Sequence, residues 1–133
     1  MDLVAIGAVE SPLKDREDAP KQADEGAPEA WLVFQEAVAE DLDGIAAGDE
    51  LLVLTWLDRA ARDVLRVRPR SCATAAEQGV FSTRSPDRPN PIGVHRVTVV
   101  AIEGTRLRVN QLEALHGTPI VDVKPLLQSI EER

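Results

Sequence analysis

Residues 79–93 constrain the fold more than any other part of the chain; they read Gly-Val-Phe-Ser-Thr-Arg-Ser-Pro-Asp-Arg-Pro-Asn-Pro-Ile-Gly. Each of the three prolines fixes the backbone φ angle and removes one N–H donor, so the segment fits neither a helix nor the interior of a sheet. A simple connection needs only one Pro or Gly, and a turn with a purely structural role is the alternative. The sequence therefore predicts a rigid, irregular ligand-binding loop that holds Arg84 and Arg88 in place.

A second unusual segment lies downstream, where residues 112–125 read Leu-Glu-Ala-Leu-His-Gly-Thr-Pro-Ile-Val-Asp-Val-Lys-Pro. In this order, the two segments resemble the paired signature of the TrmO (YaeB-like) family. Members of that family are S-adenosylmethionine-dependent methyltransferases that methylate the threonylcarbamoylated adenosine beside the anticodon of certain tRNAs. Weaker similarities extend over nearly the whole chain: Ile6-Gly7, Ser11-Pro12, Pro20-Lys21-Gln22 where the family has Pro-Arg-Gln, and residues 51–57.

The resemblance implies a set of cofactor contacts. Arg84 is the leading candidate, because a planar and permanently charged guanidinium suits the carboxylate of S-adenosylmethionine. Ser85 and Arg88 would brace the loop or the substrate. Backbone edges for the adenine would come from Leu112, Glu113, Ala114 and Leu115, and the further implied contacts are Pro20, Lys21, Gln22, Asp58, Arg59 and Val94.

The charge of the chain is unevenly distributed. The total is −8, yet residues 1–50 carry −11 and residues 51–133 carry +3. Phosphate binding relies on Lys and Arg, and the arginines concentrate between positions 59 and 96. This pattern predicts a positive surface that binds a tRNA substrate through Arg66, Arg68, Arg70 and Lys124. The alternative is a solvated face with scattered ion pairs.

The pattern of short apolar runs predicts a mainly β fold, a single compact β-barrel or curled sheet with one or two short helices. No Gly-x-Gly-x-x-Gly motif is present, which argues against a doubly wound nucleotide-binding fold. The resemblance implies one YaeB-like domain over residues 1–133, without the C-terminal extension of longer relatives. It also implies a homodimer with the cofactor near the subunit interface.

Individual elements follow from local patterns. Strands are predicted at 3–9, 30–35 and 51–57, the last covered on both faces, with 64–67 continuing the sheet. A short helix is predicted at 36–42, and Glu103-Gly104 is predicted to turn a hairpin between 94–102 and 105–112. Residues 119–124 are predicted to form a strand, of which Asp122 and Lys124 would be the outward face if it lies at an edge. Phe81 is expected in the core, because the chain has few large aromatic side chains.

Composition limits the other possibilities. Cys72 is the only cysteine, so no disulfide forms within the chain, and His95 and His116 have no thiolate partners for a metal site. No apolar run approaches the roughly 20 residues that cross a bilayer, and the N-terminus lacks a basic region. A cytoplasmic protein without a metal is expected.

The methyl acceptor and the catalytic base stay open. Methyl transfer to an amide-like nitrogen needs a proton acceptor, and Asp122 and Glu113 are the candidates. Three positions depart from the family pattern: His116 replaces an acid, Leu126 an aromatic residue and Asp58 a histidine. Three functions are therefore compared: tRNA methylation, small-molecule methylation by a member that has lost its tRNA contacts, and cofactor binding without catalysis.

Overall fold

Six strands form a closed antiparallel barrel in a computed structural model of the protein, which describes residues 1–14, 29–68 and 76–127. The order of strands around the barrel is β1-β2-β7-β6-β3-β8, and β4 and β5 form a separate two-stranded ribbon. The prediction of a mainly β barrel is confirmed. The strands are β1 (Gly7–Glu10), β2 (Ala30–Phe34), β3 (Glu50–Trp56), β4 (Arg66–Val67), β5 (Gln78–Gly79), β6 (Ile92–Glu103), β7 (Arg106–Val109) and β8 (Pro119–Pro125).

The barrel interior is filled by alternate side chains of the strands, because successive residues of a strand point to opposite faces. On β3, Leu51, Val53 and Thr55 are buried, while the residues between them are half-buried on the outside. The largest fully buried side chains come from β2, β7, the β7–β8 connection and β8, and they are Leu32, Leu107, Leu112 and Ile120. The predicted strand at 51–57 pairs on both sides, but only its inward face is fully covered.

Several local predictions are confirmed. The helix at 36–42 is a 3-10 helix spanning Glu36–Leu42. The predicted hairpin joins β6 to β7 through Glu103-Gly104, and Gly104 has a φ of +61°, the left-handed region that favours glycine. The second strand of the hairpin ends at Val109, earlier than predicted. The first strand begins at Gly7, four residues later than predicted.

Two predictions are wrong, and a third is confirmed only in part. Residues 64–67 do not continue the main sheet, because β4 pairs with β5 in the separate ribbon. The strand predicted at 119–124 is confirmed as β8, with Asp122 and Lys124 on its outer face. It is not an edge, because β8 pairs with β1 on one side and β3 on the other and so closes the barrel. Phe81 is not in the core: its side chain is 80% exposed, and the buried position of this 3-10 turn is taken by Val80.

The strand directions bring three connections to the same end of the barrel. Trp56 at the end of β3 pairs with Ile92 at the start of β6, and Ala30 at the start of β2 pairs with Val109 at the end of β7. Connections β1–β2, β3–β6 and β7–β8 therefore all leave from one end, which we call the loop end. All of the implied cofactor segments fall in these connections, except Val94.

Candidate functional site

The proline-rich loop is held in shape by one of its own arginines. The guanidinium of Arg88 donates hydrogen bonds to the carbonyl oxygens of Val80 at 3.1 Å, Thr83 at 3.0 Å and Ser85 at 3.0 Å. It also lies 5.9 Å from the centroid of the Phe81 ring. Because its donors bind the backbone of its own loop, Arg88 has the geometry of a bracing residue.

The loop is also tied to the turn that follows β3. Asp87 Oδ1 accepts a hydrogen bond from the amide of Ala61 at 2.9 Å, and the amide of Arg88 donates to the carbonyl of Ala61 at 2.9 Å. The hydroxyl of Ser85 lies 3.3 Å from both the amide nitrogen and the carbonyl oxygen of Asp87. Ser85 therefore stabilises the loop from within, and the loop and the turn form one connected unit.

Arg84 differs from its neighbours. Its side chain is exposed, and it forms no hydrogen bond or ion pair with any residue in the described part of the chain. The hydrogen bonds within the loop fix the position of its backbone, while its guanidinium has no partner among the described residues. A permanently charged group in this setting is suited to binding an anionic group of a ligand.

The turn after β3 is linked to the first loop-end connection. Arg59 Nη1 donates a hydrogen bond of 2.6 Å to the carbonyl oxygen of Lys14, the last described residue before position 29. Asp58 is exposed beside it. The predicted contacts Pro20, Lys21 and Gln22 lie outside the described residues, and so does Arg70.

The second signature segment is anchored by alternate residues. Leu112 and Ala114 are buried in the core, and Glu113 and Leu115 are half-buried. The amide of His116 donates to the carbonyl of Leu13 at 2.7 Å. The two core side chains therefore fix the path of the backbone between them, as a segment that presents backbone edges to a ligand requires.

His116 has a structural partner in the first connection. Its Nδ1 accepts a hydrogen bond from the amide of Ser11 at 3.2 Å, and the amide of Gly117 donates to the carbonyl of Val9 at 2.7 Å. Gly117 has a φ of +87°, which favours glycine at this turn. The histidine at this departure from the family pattern therefore binds the backbone of the β1–β2 connection.

These bonds join the loop-end segments to one another. Residues 11–14 bind both the second signature segment and the turn after β3, and that turn binds the proline-rich loop. Val94 lies on the outer face of β6, 42% exposed, two residues after the strand leaves the loop end. The structure thus brings Arg84, Ser85, Arg88, Asp58, Arg59 and residues 112–115 to one end of the barrel.

Asp122 and Lys124 lie outside the loop-end connections, on strand β8. They sit on the outer wall of β8, opposite Leu54 and Leu52 of β3, and their side chains form an ion pair at 3.2 Å. Asp122 Oδ1 also accepts a hydrogen bond from the amide of Val123. The register places Asp122 two strands from Val94, about 10 Å away.

Arg66 and Arg68 lie at the ribbon of β4 and β5, inside the β3–β6 connection. Both side chains are exposed, and Arg66 Nη2 donates to the carbonyl of Glu77 at 3.1 Å. Lys124, on the barrel wall, is not part of this ribbon. The ribbon and the proline-rich loop belong to the same connection, so the two arginines continue from the cofactor segments along the chain.

Sequence reasoning missed a cluster at the rim of the loop end. Arg62 lies 5.2 Å from the centroid of the Trp56 ring, and it donates to the carbonyl of Pro89 at 2.7 Å and to Asn90 Oδ1 at 2.9 Å. One signal was available: Trp56 is one of only two tryptophans in the chain and stands at the end of a strand. Its proximity to Arg62 and Asn90 depends on tertiary structure.

Neither a metal site nor a membrane-spanning helix is found in the part of the chain that the structure describes. Within residues 1–14, 29–68 and 76–127, no three His, Cys, Asp or Glu side chains are grouped so that they could hold a metal ion. In the same part of the chain, no helix is long and apolar enough to span a membrane.

Comparisons with known proteins agree with this architecture. Residues 8–132 match the model of the tRNA-methyltransferase O N-terminal domain. The S-adenosyl-L-methionine-binding protein of Archaeoglobus fulgidus is 40% identical over 131 residues, which cover 98% of this chain and 93% of that protein. A probable S-adenosyl-L-methionine-binding protein of Methanothermobacter thermautotrophicus is 40% identical over 126 residues, which cover 95% of this chain and 90% of that protein.

Solved structures show the same fold. The crystal structure of TrmO from Pseudomonas aeruginosa matches with a TM-score of 0.76 and 25% identity, and a second TrmO crystal structure matches with a TM-score of 0.75 and 26% identity. Each match covers 100% of this chain, but only 60% and 62% of the respective TrmO chains. The chain therefore spans about three fifths of these solved proteins.

Proposed function

The chain belongs to the family of the tRNA-methyltransferase O N-terminal domain, and from that premise we propose that it is an S-adenosylmethionine-dependent methyltransferase. The proposed acceptor is the exocyclic nitrogen of the threonylcarbamoylated adenosine next to the anticodon of tRNA, in the cytoplasm. The A. fulgidus relative, named for binding S-adenosyl-L-methionine, supports the choice of cofactor.

One observation carries the proposal. The described segments that match the family's cofactor contacts lie far apart in the sequence, yet main-chain and side-chain hydrogen bonds join them at the loop end. A purely structural turn at residues 79–93 would not require an arginine that binds none of the described residues on a loop braced from inside. The exposed guanidinium of Arg84 and the backbone groups of residues 112–115 fit a cofactor that carries a carboxylate, an adenine and a ribose.

In this proposal Arg84 holds the carboxylate of the cofactor, because its guanidinium is exposed and forms no bond to the described residues. Arg88 and Ser85 keep the loop in shape, and the backbone of residues 112–115 borders the adenine. The cofactor supplies an activated methyl group on a sulfonium. The protein therefore has to align the acceptor nitrogen, exclude water and accept one proton.

Two carboxylates, Glu113 and Asp122, are the candidates for the proton acceptor. Glu113 lies in the loop-end segment and is half-buried. Asp122 lies on the barrel wall and is engaged with Lys124 and the amide of Val123. The location of Glu113 at the loop end therefore favours it as the base. We expect Glu113→Gln to lower kcat while the affinity for S-adenosylmethionine stays unchanged.

The acceptor is proposed to be tRNA because exposed arginines lie beside the loop end. Arg66 and Arg68 belong to the same connection as the proline-rich loop. Methylation of a small molecule is the second candidate, favoured by His116, whose imidazole binds the backbone at Ser11 where the family pattern has an acid. Cofactor binding without catalysis is the third candidate, in line with the names of the archaeal relatives, which refer only to S-adenosyl-L-methionine binding.

Labelled S-adenosylmethionine tests these alternatives directly. The protein is incubated with total tRNA from a strain that lacks this gene and, separately, with a small-metabolite extract from the same strain. Label in tRNA supports the proposal, and label only in the metabolite fraction supports the second candidate. Cofactor binding by calorimetry without transfer to either fraction supports the third candidate, and no binding at all refutes the cofactor assignment.

We also propose that the protein is a homodimer with the cofactor near the interface. The outer wall of β6 exposes two apolar side chains at the loop end, Ile92 at 40% and Val94 at 42%. A small barrel offers little concave surface of its own, and a symmetric partner deepens such a site. Light scattering that gives a monomer mass at micromolar concentration, with the cofactor tightly bound, would contradict this proposal.

A further inference from the structure

A cavity of about 440 Å³ lies on the outer side of the barrel at the rim of the loop end. Its walls come from three strands and from the N-terminal residues. Trp56 ends β3, Ile92 begins β6 and Val121 belongs to β8, and Leu3 closes the apolar side. The polar groups are Arg62 and Asn90, which lie in the β3–β6 connection together with Arg84. A cavity with apolar walls and a few fixed polar groups is the usual form of a small-ligand site.

The cation in this cavity is held in place. The face of Arg62 lies over the Trp56 ring with 5.2 Å to the centroid. Its Nε donates to the carbonyl of Pro89 at 2.7 Å, and its Nη2 donates to Asn90 Oδ1 at 2.9 Å. A guanidinium has five N–H donors, and the other three form no hydrogen bond to the described residues, so they can bind an anionic ligand group.

The bond from Arg62 also fixes the orientation of the Asn90 amide. Because Oδ1 accepts from the guanidinium, the NH₂ group is the donor end of this side chain, and it forms no hydrogen bond to the residues that the structure describes. An amide NH₂ donates to ring nitrogens of a purine, and the half-buried indole of Trp56 lines the cavity. Because Arg62 lies over one face of this ring, a base stacks on the other face. The set of an aromatic face, an amide donor and a fixed cation matches a purine that carries an anionic substituent.

The cavity adjoins the implied cofactor contact on β6. Ile92 and Val94 are two residues apart and on the same face of that strand, so their Cα atoms are about 7 Å apart. A ligand that contacts Ile92 in the cavity therefore lies within about 7 Å of the Val94 backbone along β6. This arrangement suits a methyl acceptor, because the acceptor nitrogen and the donor group must meet in one site.

We infer that this cavity receives the acceptor base, a purine with an anionic substituent turned out of its RNA strand, with Trp56 as the stacking surface and Arg62 as the anion partner. The inference rests on the proposed methyltransferase function. The volume of the cavity fits one nucleoside and is too small for several nucleotides of an RNA strand. The adenine of the cofactor and a second copy of the chain are the competing occupants that the experiment separates.

Tryptophan fluorescence gives a direct test. The chain has two tryptophans, so Trp31→Phe leaves Trp56 as the only indole. Trp31 lies on β2 between Arg106 and Arg108 of β7, away from the cavity. We expect N6-threonylcarbamoyladenosine to quench this signal saturably in the presence of saturating S-adenosylhomocysteine, with weaker quenching by adenosine and none by threonine. No change at millimolar nucleoside, or quenching that S-adenosylhomocysteine abolishes, would overturn the inference.

Kinetics with total tRNA provide the second measurement. Trp56→Leu is expected to raise the KM for tRNA about 5- to 150-fold, the range associated with loss of one base–aromatic stack. Arg62→Gln is expected to raise it as well, and Arg62→Lys, which keeps the charge, should recover part of the loss. Trp31→Leu is the matched control and should leave KM unchanged, with thermal melting used to confirm that every variant is folded.

The possible failures are distinguishable. If the wild-type protein does not bind S-adenosylmethionine, the proposed function fails. If it binds the cofactor and methylates tRNA while folded Trp56→Leu keeps the wild-type KM, the cavity assignment alone fails. If Trp56→Leu abolishes cofactor binding in calorimetry, the cavity holds the cofactor adenine, and if it converts a dimer to a monomer in light scattering, the cavity is an interface. Either of these last outcomes overturns the inference.

Discussion

The hydroxyl of Thr55 and the imidazole Nε2 of His95 lie 2.8 Å apart inside the barrel, on neighbouring strands. Both side chains are buried. Gly93 makes room for the pair, because a Cβ at this position would lie 2.5 Å from Thr55 Oγ1 and 2.8 Å from His95 Nε2. The last glycine of the proline-rich signature therefore serves the packing of the barrel, and the sequence alone did not identify this role.

Stability is expected to fall at mildly acidic pH because of His95. Burial lowers the pKa of His95 from 6.5 to about 4. Between these values the unfolded chain takes up a proton that the folded protein excludes, so this contribution is complete above pH 6.5 and is lost as the pH falls towards 4. Urea unfolding at pH 7 and pH 5 should show a loss of about 2 kcal/mol.

The control for this prediction is His95→Gln, which keeps a polar side chain beside Thr55 but does not titrate. The difference between pH 7 and pH 5 should be smaller in this variant by about 2 kcal/mol. His116 and all carboxylates remain in both proteins, so their contributions cancel. An equal pH dependence in the two proteins would contradict the role of His95.

Arg84→Ala should weaken binding of S-adenosylmethionine without affecting the fold. The side chain forms no bond to the described residues, so its removal leaves the loop contacts in place. Loss of one charge-assisted contact costs about 1.5–3 kcal/mol, which is about 10- to 150-fold in Kd. Calorimetry measures the effect, and Arg96→Ala, an exposed arginine paired with Glu50, is the matched control. Wild-type affinity in the folded Arg84 variant would remove Arg84 from the site.

Arg88→Ala should act through stability. This substitution removes three hydrogen bonds to the carbonyls of Val80, Thr83 and Ser85, and the expected loss in the free energy of unfolding is about 1.5–3 kcal/mol. Arg88→Lys should not restore it, because an ammonium lacks the planar fork that reaches several acceptors. Urea denaturation measures both variants. If both are as stable as wild type, Arg88 does not brace the loop.

Replacement of Arg66 and Arg68 by Gln should weaken RNA binding for all sequences alike. Each lost phosphate contact is expected to reduce the slope of log affinity against log salt by about 1. Binding of tRNA is measured from low to physiological salt, with Arg106→Gln on β7, outside the β3–β6 connection, as the control. An unchanged slope, with methylation at the wild-type rate under subsaturating tRNA, would show that the two arginines are a solvated face and would favour a small-molecule acceptor.

The sequence by itself determined those loops, turns and strands that depend only on residues adjacent in the chain. Three prolines within eight residues exclude helix and sheet, so the loop at residues 79–93 was predictable, and so was the hairpin at Glu103-Gly104. The uninterrupted apolar run at β3 indicated a strand with neighbours on both sides. The two signature segments indicated which residues to look for at a cofactor site, although not how those residues meet.

Tertiary structure alone decided everything that depends on pairing between distant residues. Closure of the barrel rests on β1 meeting β8, more than one hundred positions away, and this made β8 an inner strand instead of an edge. The exposed position of Phe81, the inward His95 and the contact of Arg62 with Trp56 follow from that geometry. Local propensities do not encode such contacts. These contacts stabilise the protein only after all of the strands have paired in the correct register.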